Sequence, residues 1–116
     1  MEEKVTDLSQ IKEIAGDNPE FLKEIFEIFV TQTPEYIEAL QKGLNTKDFE
    51  LMRNTAHKMY TSLGTLGIRS LISTVKGLEN DCQNKTGFEE MPSKIALITT
   101  TCNKAIAELE EELKEL

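Results

Sequence analysis

The sequence lacks tryptophan and contains one histidine, two cysteines and three prolines among 116 residues. One histidine and two cysteines cannot supply the four Cys and His ligands of a structural zinc site. The chain has 13 Lys and Arg against 21 Asp and Glu, a formal net charge of −8. Because this charge repels phosphate backbones and anionic lipid, we expect no nucleic-acid binding and no membrane insertion.

Long apolar segments are also missing. No stretch approaches the roughly 20 apolar residues that span a bilayer, and the acidic start MEEKVTDLSQ does not have the pattern of a signal peptide. Cys82 and Cys102 match no metal or redox spacing. We expect buried free thiols in a reducing cytoplasm, with a disulfide as the less favoured alternative.

Motifs for nucleotide binding or hydrolysis are absent as well. The sequence contains no Gly-x-Gly-x-x-Gly, Walker or Gly-x-Ser-x-Gly pattern, and no alternating run typical of a strand. Four substantial helical segments follow one another with short turns between them. They predict an all-α fold, an antiparallel four-helix bundle with a short N-terminal capping helix, as a single domain over residues 1–116. Residues 1–4 are expected to be a loose end.

Turn signals set the boundaries of the first two helices. Gly16 is expected to end the short capping helix, and Asn18-Pro19 to begin the next one. Pro34 interrupts that helix, but the apolar register is the same on both sides, so a kinked continuous helix is favoured. Residues 43–46, Gly-Leu-Asn-Thr, are predicted to form the turn that follows.

Residues 46–67 form the predicted helix that carries His57. Its apolar residues recur at steps of three and four, which is typical of a helix packed in a bundle: Phe49, Met52, Ala56, Met59, Leu63 and Leu66. At about 100° per residue, His57 lies roughly 130° from the middle of this apolar seam. The imidazole is therefore predicted to face solvent, and Gly67 to end the helix in a left-handed conformation.

Two more helices complete the prediction. Residues 69–84 carry an apolar face, residues 84–87 form a loop, and Pro92 restarts helical structure. The last helix is expected to run to the C-terminus with one apolar face, which consists of Ile95, Ile98, Cys102, Ala105, Ile106, Leu109, Leu113 and Leu116.

His57 is the one residue whose chemistry and position together suggest a site. An imidazole with an ordinary pKa near 6.5 is largely neutral at cytoplasmic pH and can attack an electrophilic phosphorus. Thr61 and Gly64 leave space for a partner, and Arg53 and Lys58 are the nearby cations, although Lys58 projects about 100° away around the helix. An exposed histidine is most often only a surface residue, so these residues alone leave its function open.

The sequence around His57 resembles the signature of histidine-containing phosphotransfer (HPt) domains. The resemblance rests on an ordered set of residues: Ala56-His57-Lys58-Met59, then Ser62, Gly64, Leu66 and Gly67, and later Leu71, Val75, Leu78 and Glu79. The preceding helix, from Asp17 to Ala39, also looks like that of the family, so the similarity spans about Asp7 to Asn84.

The resemblance implies a cytoplasmic four-helix bundle that relays phosphoryl groups in two-component signalling. It implies that His57 accepts a phosphoryl group from the aspartate of a response-regulator receiver domain and passes it on. A hybrid sensor histidine kinase is a further expected partner. The receiver supplies Mg²⁺ and the catalytic residues, so this chain is expected to be a monomeric carrier, not an enzyme, with no metal or cofactor of its own.

Two residues depart from the family pattern. Three residues after the histidine the family usually has lysine, and this chain has Tyr60; four residues after it the family has a small residue, and this chain has Thr61. Arg53, one turn before His57, is the candidate replacement for the missing cation.

The resulting site prediction has two parts. The expected surroundings of the phosphoryl group are Arg53, Lys58, Tyr60 and Thr61, and the expected docking surface for the partner is Asn54, Thr61 and Gly64. Two alternatives remain at this point. Besides the favoured phosphocarrier, the chain could be an HPt-like adaptor that binds a receiver without taking phosphate, or an unrelated helical interaction module.

Overall fold

The computed structural model describes residues 4–116, and every regular element in that range is helical. The elements are α1 (Ser9–Ala15), α2 (Pro19–Thr46), α3 (Phe49–Thr65), a short 3-10 turn (Arg69–Leu71), α4 (Ile72–Asn84) and α5 (Met91–Lys114). The all-α prediction is confirmed. The loose end predicted for residues 1–4 lies outside the described residues except for Lys4, which is exposed. No helix within 4–116 is both long enough and apolar enough to cross a bilayer.

Each of the four long helices packs against two of the others, so that the contacts form a closed ring. α2 packs on α3 and α5, α4 packs on the same two helices, and α1 packs on α2. The buried side chains of these helices and of the segment between α3 and α4 form one apolar cluster, whose largest fully buried members are Phe26, Leu40, Met52, Met59, Leu63, Leu66, Ile68, Leu71, Leu78, Met91, Ile95 and Ile98. The apolar seam predicted for the histidine helix is therefore the face that α3 presents to this core.

α2 begins at the predicted position and is continuous through Pro34, as predicted. The Asn18 side chain accepts a hydrogen bond from the Phe21 backbone N–H at 3.2 Å, and Pro19 occupies the first turn. The helix runs through Pro34 without a break. Phe29 before the proline and Leu40 after it are both buried, which agrees with the unbroken apolar register.

The turn predicted at residues 43–46 is wrong. α2 continues to Thr46, and the chain turns at Lys47, which has a positive φ of 56°. The Asp48 side chain then caps α3 by accepting a hydrogen bond from the Leu51 N–H at 3.0 Å. Gly43 is buried within α2, and a Cβ atom there would lie 2.6 Å from Cγ of Met52. The glycine therefore allows α2 and α3 to pack closely, a role that sequence alone does not separate from a turn.

Gly67 ends the histidine helix as predicted. It has a φ of 65°, and the Ile68 N–H donates to the Leu63 carbonyl at 2.9 Å, which is a Schellman closure. The same glycine admits the N-terminal segment, because a Cβ atom at this position would lie 2.3 Å from the Asp7 carbonyl oxygen.

The second half of the chain shows two smaller differences. The helix predicted from residue 69 starts as the 3-10 turn, and α4 proper begins at Ile72. α5 ends at Lys114, and Leu116 is 46% exposed, so it does not belong to the buried face of that helix. Cys82 and Cys102 are buried and free, as predicted, and the disulfide alternative is wrong.

Candidate functional site

His57 lies on the outer surface of α3. Its side chain is 71% exposed, while Ala56 and Met59 beside it in the sequence are buried in the core. These buried neighbours fix the rotation of the helix, so the imidazole points outward from a rigid support. The predicted outward orientation is confirmed.

Glu79 of α4 holds one nitrogen of this imidazole. The Nδ1 atom of His57 lies 3.0 Å from Oε2 of Glu79, whose side chain is only 15% exposed. A carboxylate can only accept a hydrogen bond, so in the neutral ring Nδ1 carries the proton. The lone pair is then on Nε2, the free nitrogen. The second carboxylate oxygen, Oε1, is buried and has no hydrogen-bond partner within the described residues.

A second contact between α3 and α4 lies one helical turn further along. The ring of Tyr60, which is 37% exposed, has Nζ of Lys76 at 4.3 Å from its centroid. This distance is that of a cation–π interaction. Tyr60 is thus in the predicted site, whereas Lys76 is a cation that the sequence analysis did not select.

Arg53 lies on the side of α3 that faces α4. Burial and the charge of Asp81 raise the pKa of the Cys82 thiol to about 11, and the charges of Arg53 and Lys94 act in the opposite direction. Arg53 therefore stands near Cys82, one turn before His57 on α3. The predicted cation is on the histidine side of the helix, close to α4.

The predicted docking residues lie on the exposed surface of α3. Asn54, Thr61 and Gly64 are all exposed, and a Cβ atom added at Gly64 would meet no other atom within 4 Å. Beside Thr61 an apolar groove of about 140 Å³ opens between α2 and α3, with Ile28 48% exposed on its α2 side. The surface next to His57 is therefore open on the α2 side and charged on the α4 side.

The structure brings most of the predicted residues together. Arg53, His57 and Tyr60 face α4, and Thr61 faces the groove toward α2. Lys58 is exposed, and no ion pair or cation–π contact involves it in the described part of the chain. Residues 4–116 contain no group of three or more His, Cys, Asp or Glu side chains placed to hold a metal ion.

Comparison with known proteins identifies the family. The family model of the Hpt domain matches residues 24–116. The chain belongs to the Hpt domain family. The match includes α5, so it extends beyond the residues on which the sequence resemblance rested.

One solved structure supports the same fold for this Hpt domain. The crystal structure of histidine-containing phosphotransfer protein B from Pseudomonas aeruginosa PAO1 superposes with a TM-score of 0.81. The two sequences are 20% identical, and the alignment covers 96% of each chain. At this identity the likeness concerns the fold alone. A search of curated proteins found no significant match.

Proposed function

We propose that this Hpt domain is a phosphoryl carrier in a two-component phosphorelay and that His57 is the residue phosphorylated. The observation that carries the proposal is the pairing of His57 Nδ1 with Glu79 at 3.0 Å on an otherwise exposed imidazole. This pairing leaves Nε2 free, unprotonated and accessible to a partner. Family membership supports the same function.

The transfer is a displacement at phosphorus. The Nε2 lone pair of His57 forms the N–P bond while the P–O bond to the aspartate of the receiver breaks, and the aspartate leaves as a carboxylate with the bonding electrons. The proton on Nδ1 stays in place, so the phosphorylated ring carries a positive charge. Glu79 accepts the Nδ1 hydrogen bond throughout, and its negative charge stabilises that ring.

The partner completes the site. We infer that the response-regulator receiver domain supplies Mg²⁺ and the catalytic groups, and that a hybrid sensor histidine kinase is an upstream source of phosphoryl groups. This chain then acts as a substrate and carrier, not as an enzyme. Asn54, Thr61 and Gly64 offer an unobstructed contact surface. The apolar groove beside Thr61 can bind an apolar side chain of the receiver.

The remaining expectations belong to the same proposal. The closed ring of contacts among α2, α3, α4 and α5 supports an antiparallel four-helix bundle that folds as one domain over residues 1–116. A carrier that meets its receivers by diffusion would act as a monomer in the cytoplasm.

Intact-mass spectrometry with a phosphorylated receiver domain tests the function. We expect the protein to gain one acid-labile phosphoryl group and the His57→Gln variant to gain none. Receiver binding without phosphorylation would favour the adaptor alternative. Absence of both, with several receivers, would leave a helical interaction module of another kind.

A further inference from the structure

We propose that Lys76 of α4 is the cation that binds the phosphoryl group on His57, and that Tyr60 holds it beside the site until the phosphoryl group arrives. This inference rests on the proposed function. It assigns the positive charge that Tyr60, in the place of the expected lysine, does not provide. It also replaces the earlier assignment of that role to Arg53.

The position of Lys76 follows from two contacts between α3 and α4. Tyr60 follows His57 by one helical turn, a separation of about 5–6 Å between Cβ atoms. Lys76 precedes Glu79 by one turn on α4. Glu79 contacts the imidazole of His57, and Lys76 contacts the ring of Tyr60. The ammonium group therefore lies about one turn from the imidazole, on the helix that already contributes the carboxylate.

Two of the other cations near α4 are engaged in ion pairs, and the third, Arg53, precedes His57 by one turn on α3, on the side away from Tyr60. Lys94 pairs with Asp81, and Arg69 pairs with Asp7 at 2.9 Å. In contrast, no carboxylate of residues 4–116 lies within ion-pair distance of Lys76. Its contact is an aromatic face, which leaves the charge available to an arriving anion.

The contact between Lys76 and the Tyr60 ring is weak enough to be exchanged for a contact with phosphate. An exposed cation–π pair is a weak interaction, while hydrogen bonds between an ammonium and phosphoryl oxygens are stronger. Lys76 can therefore leave the ring and donate N–H hydrogen bonds to the phosphoryl oxygens. Binding by Lys76 makes and breaks no covalent bond. The only covalent changes are those of the transfer itself, in which the N–P bond forms and the P–O bond breaks. The positive charge of Lys76 offsets the repulsion that this acidic chain exerts on an incoming phosphoryl group.

Phosphorylation by phosphoramidate tests the role of Lys76 without any receiver. This small donor removes docking from the measurement, and intact-mass spectrometry gives the initial rate and the half-life of the phosphohistidine. We expect Lys76→Met, which keeps most of the apolar stem, to lower the rate about tenfold. Lys76→Arg should retain most of the rate. The matched control is Lys104→Met, an exposed lysine in the cleft along the N-terminal segment and α5.

A charge-relocation variant separates a direct role from a structural one. Tyr60→Lys placed in the Lys76→Met background restores a cation beside His57, and we expect it to recover most of the lost rate. A merely structural role for Lys76 predicts no such recovery. Circular dichroism of each variant checks that the helical content is retained.

The outcomes distinguish the two proposals. If Lys76→Met and Lys104→Met react at the wild-type rate, the role of Lys76 is wrong and the carrier function stands. If the rate falls in Lys76→Met and Tyr60→Lys does not restore it, the direct role is again excluded. If the folded wild-type protein accepts no phosphoryl group from phosphoramidate or from receivers, the carrier function fails, and the role of Lys76 fails with it.

Discussion

The Nδ1 atom of His57 and the Oε2 atom of Glu79 lie 3.0 Å apart, across two helices and 22 residues of sequence. This hydrogen bond fixes the ring orientation and the tautomer of an imidazole that would otherwise rotate freely in solvent. In the proposed transfer it makes an exposed histidine a positioned nucleophile, and it leads directly to the first prediction.

Replacing Glu79 should separate activity from stability. We expect Glu79→Ala to lower the rate of phosphoryl uptake by about ten- to a hundredfold, because the ring loses its orienting partner. Glu79→Gln should keep a hydrogen bond but lose the charge that stabilises the phosphorylated ring, and so lie between Glu79→Ala and wild type. Single-turnover transfer from a phosphorylated receiver measures both rates.

The stability of the Glu79→Gln variant provides the second half of that test. In the wild-type protein Oε1 of Glu79 is buried and has no hydrogen-bond partner among residues 4–116, which is an unfavourable arrangement for a carboxylate. We therefore expect the free energy of unfolding of Glu79→Gln to be equal to that of wild type or up to about 1 kcal/mol higher. A clear decrease, measured by urea denaturation, would mean that Glu79 supports the fold and not only the site.

His57→Gln should abolish phosphoryl uptake and leave the fold intact. The side chain is 71% exposed, so we expect the free energy of unfolding to change by no more than about 0.5 kcal/mol. Circular dichroism and thermal unfolding measure this. A loss of helicity would contradict the placement of His57 outside the core.

Gly64 provides a test of the docking surface. Gly64→Gln adds bulk where a Cβ atom meets nothing within 4 Å, so we expect the variant to be as stable as wild type or more stable. Receiver binding should weaken, because the new side chain occupies the approach to His57. Isothermal titration calorimetry with a receiver measures the affinity. Unchanged affinity would place docking on another face.

Gly43→Ala should lower the free energy of unfolding, whereas the matched change Gly64→Ala should raise it. The new Cβ atom would lie 2.6 Å from Cγ of the buried Met52 and 3.2 Å from the Asp48 carbonyl oxygen. The loss from overpacking, typically about 1–3 kcal/mol, should exceed the gain of about 1 kcal/mol in helix propensity. Gly64→Ala has no such neighbour and should gain stability. Urea unfolding of the two alanine variants should therefore give changes of opposite sign.

The two thiols should be protected in the folded protein. Burial raises the pKa of Cys102 to about 12, and burial with the Asp81 charge raises that of Cys82 to about 11. Near pH 8 we expect iodoacetamide to modify neither thiol in the native state and both in denaturant, as counted by mass spectrometry. Fast labelling of the native protein would show that these helices open locally.

The same pKa shifts set a direction for stability at alkaline pH. The unfolded thiols, with an ordinary pKa near 9.0, lose their protons before the folded ones do. Above that pH the unfolded state binds fewer protons, so stability decreases as pH rises through the folded values of about 11 and 12. Thermal unfolding with Cys102→Ala as a comparison measures this contribution.

Local sequence patterns predicted much of this fold. The apolar spacing from Met52 to Leu63 and the caps at Asn18 and Gly67 depend on neighbours within a few residues. For the same reason the outward orientation of His57 could be worked out from the helix period. Gly43 was misread because glycine signals a turn and a close helix contact equally well.

The partners of the site residues could not be predicted in the same way. Glu79 and Lys76 meet His57 and Tyr60 only because α4 has a particular rotation and height against α3. That placement comes from packing between residues distant in sequence, which no local pattern encodes. One weak signal was present: the two residues are three apart, on a single face of a polar helix surface.

The division of the site between two helices links its chemistry to the core beneath it. Val75 and Leu78 are fully buried on the face of α4 opposite to solvent, and their volumes set how far that helix stands from α3. We expect a conservative change there, at a typical cost of about 0.5–1.5 kcal/mol, to move Glu79 and Lys76 relative to the imidazole. We therefore expect the rate of the proposed phosphoryl transfer to depend on the spacing between α3 and α4, so that substitutions in the core change it without altering the surface.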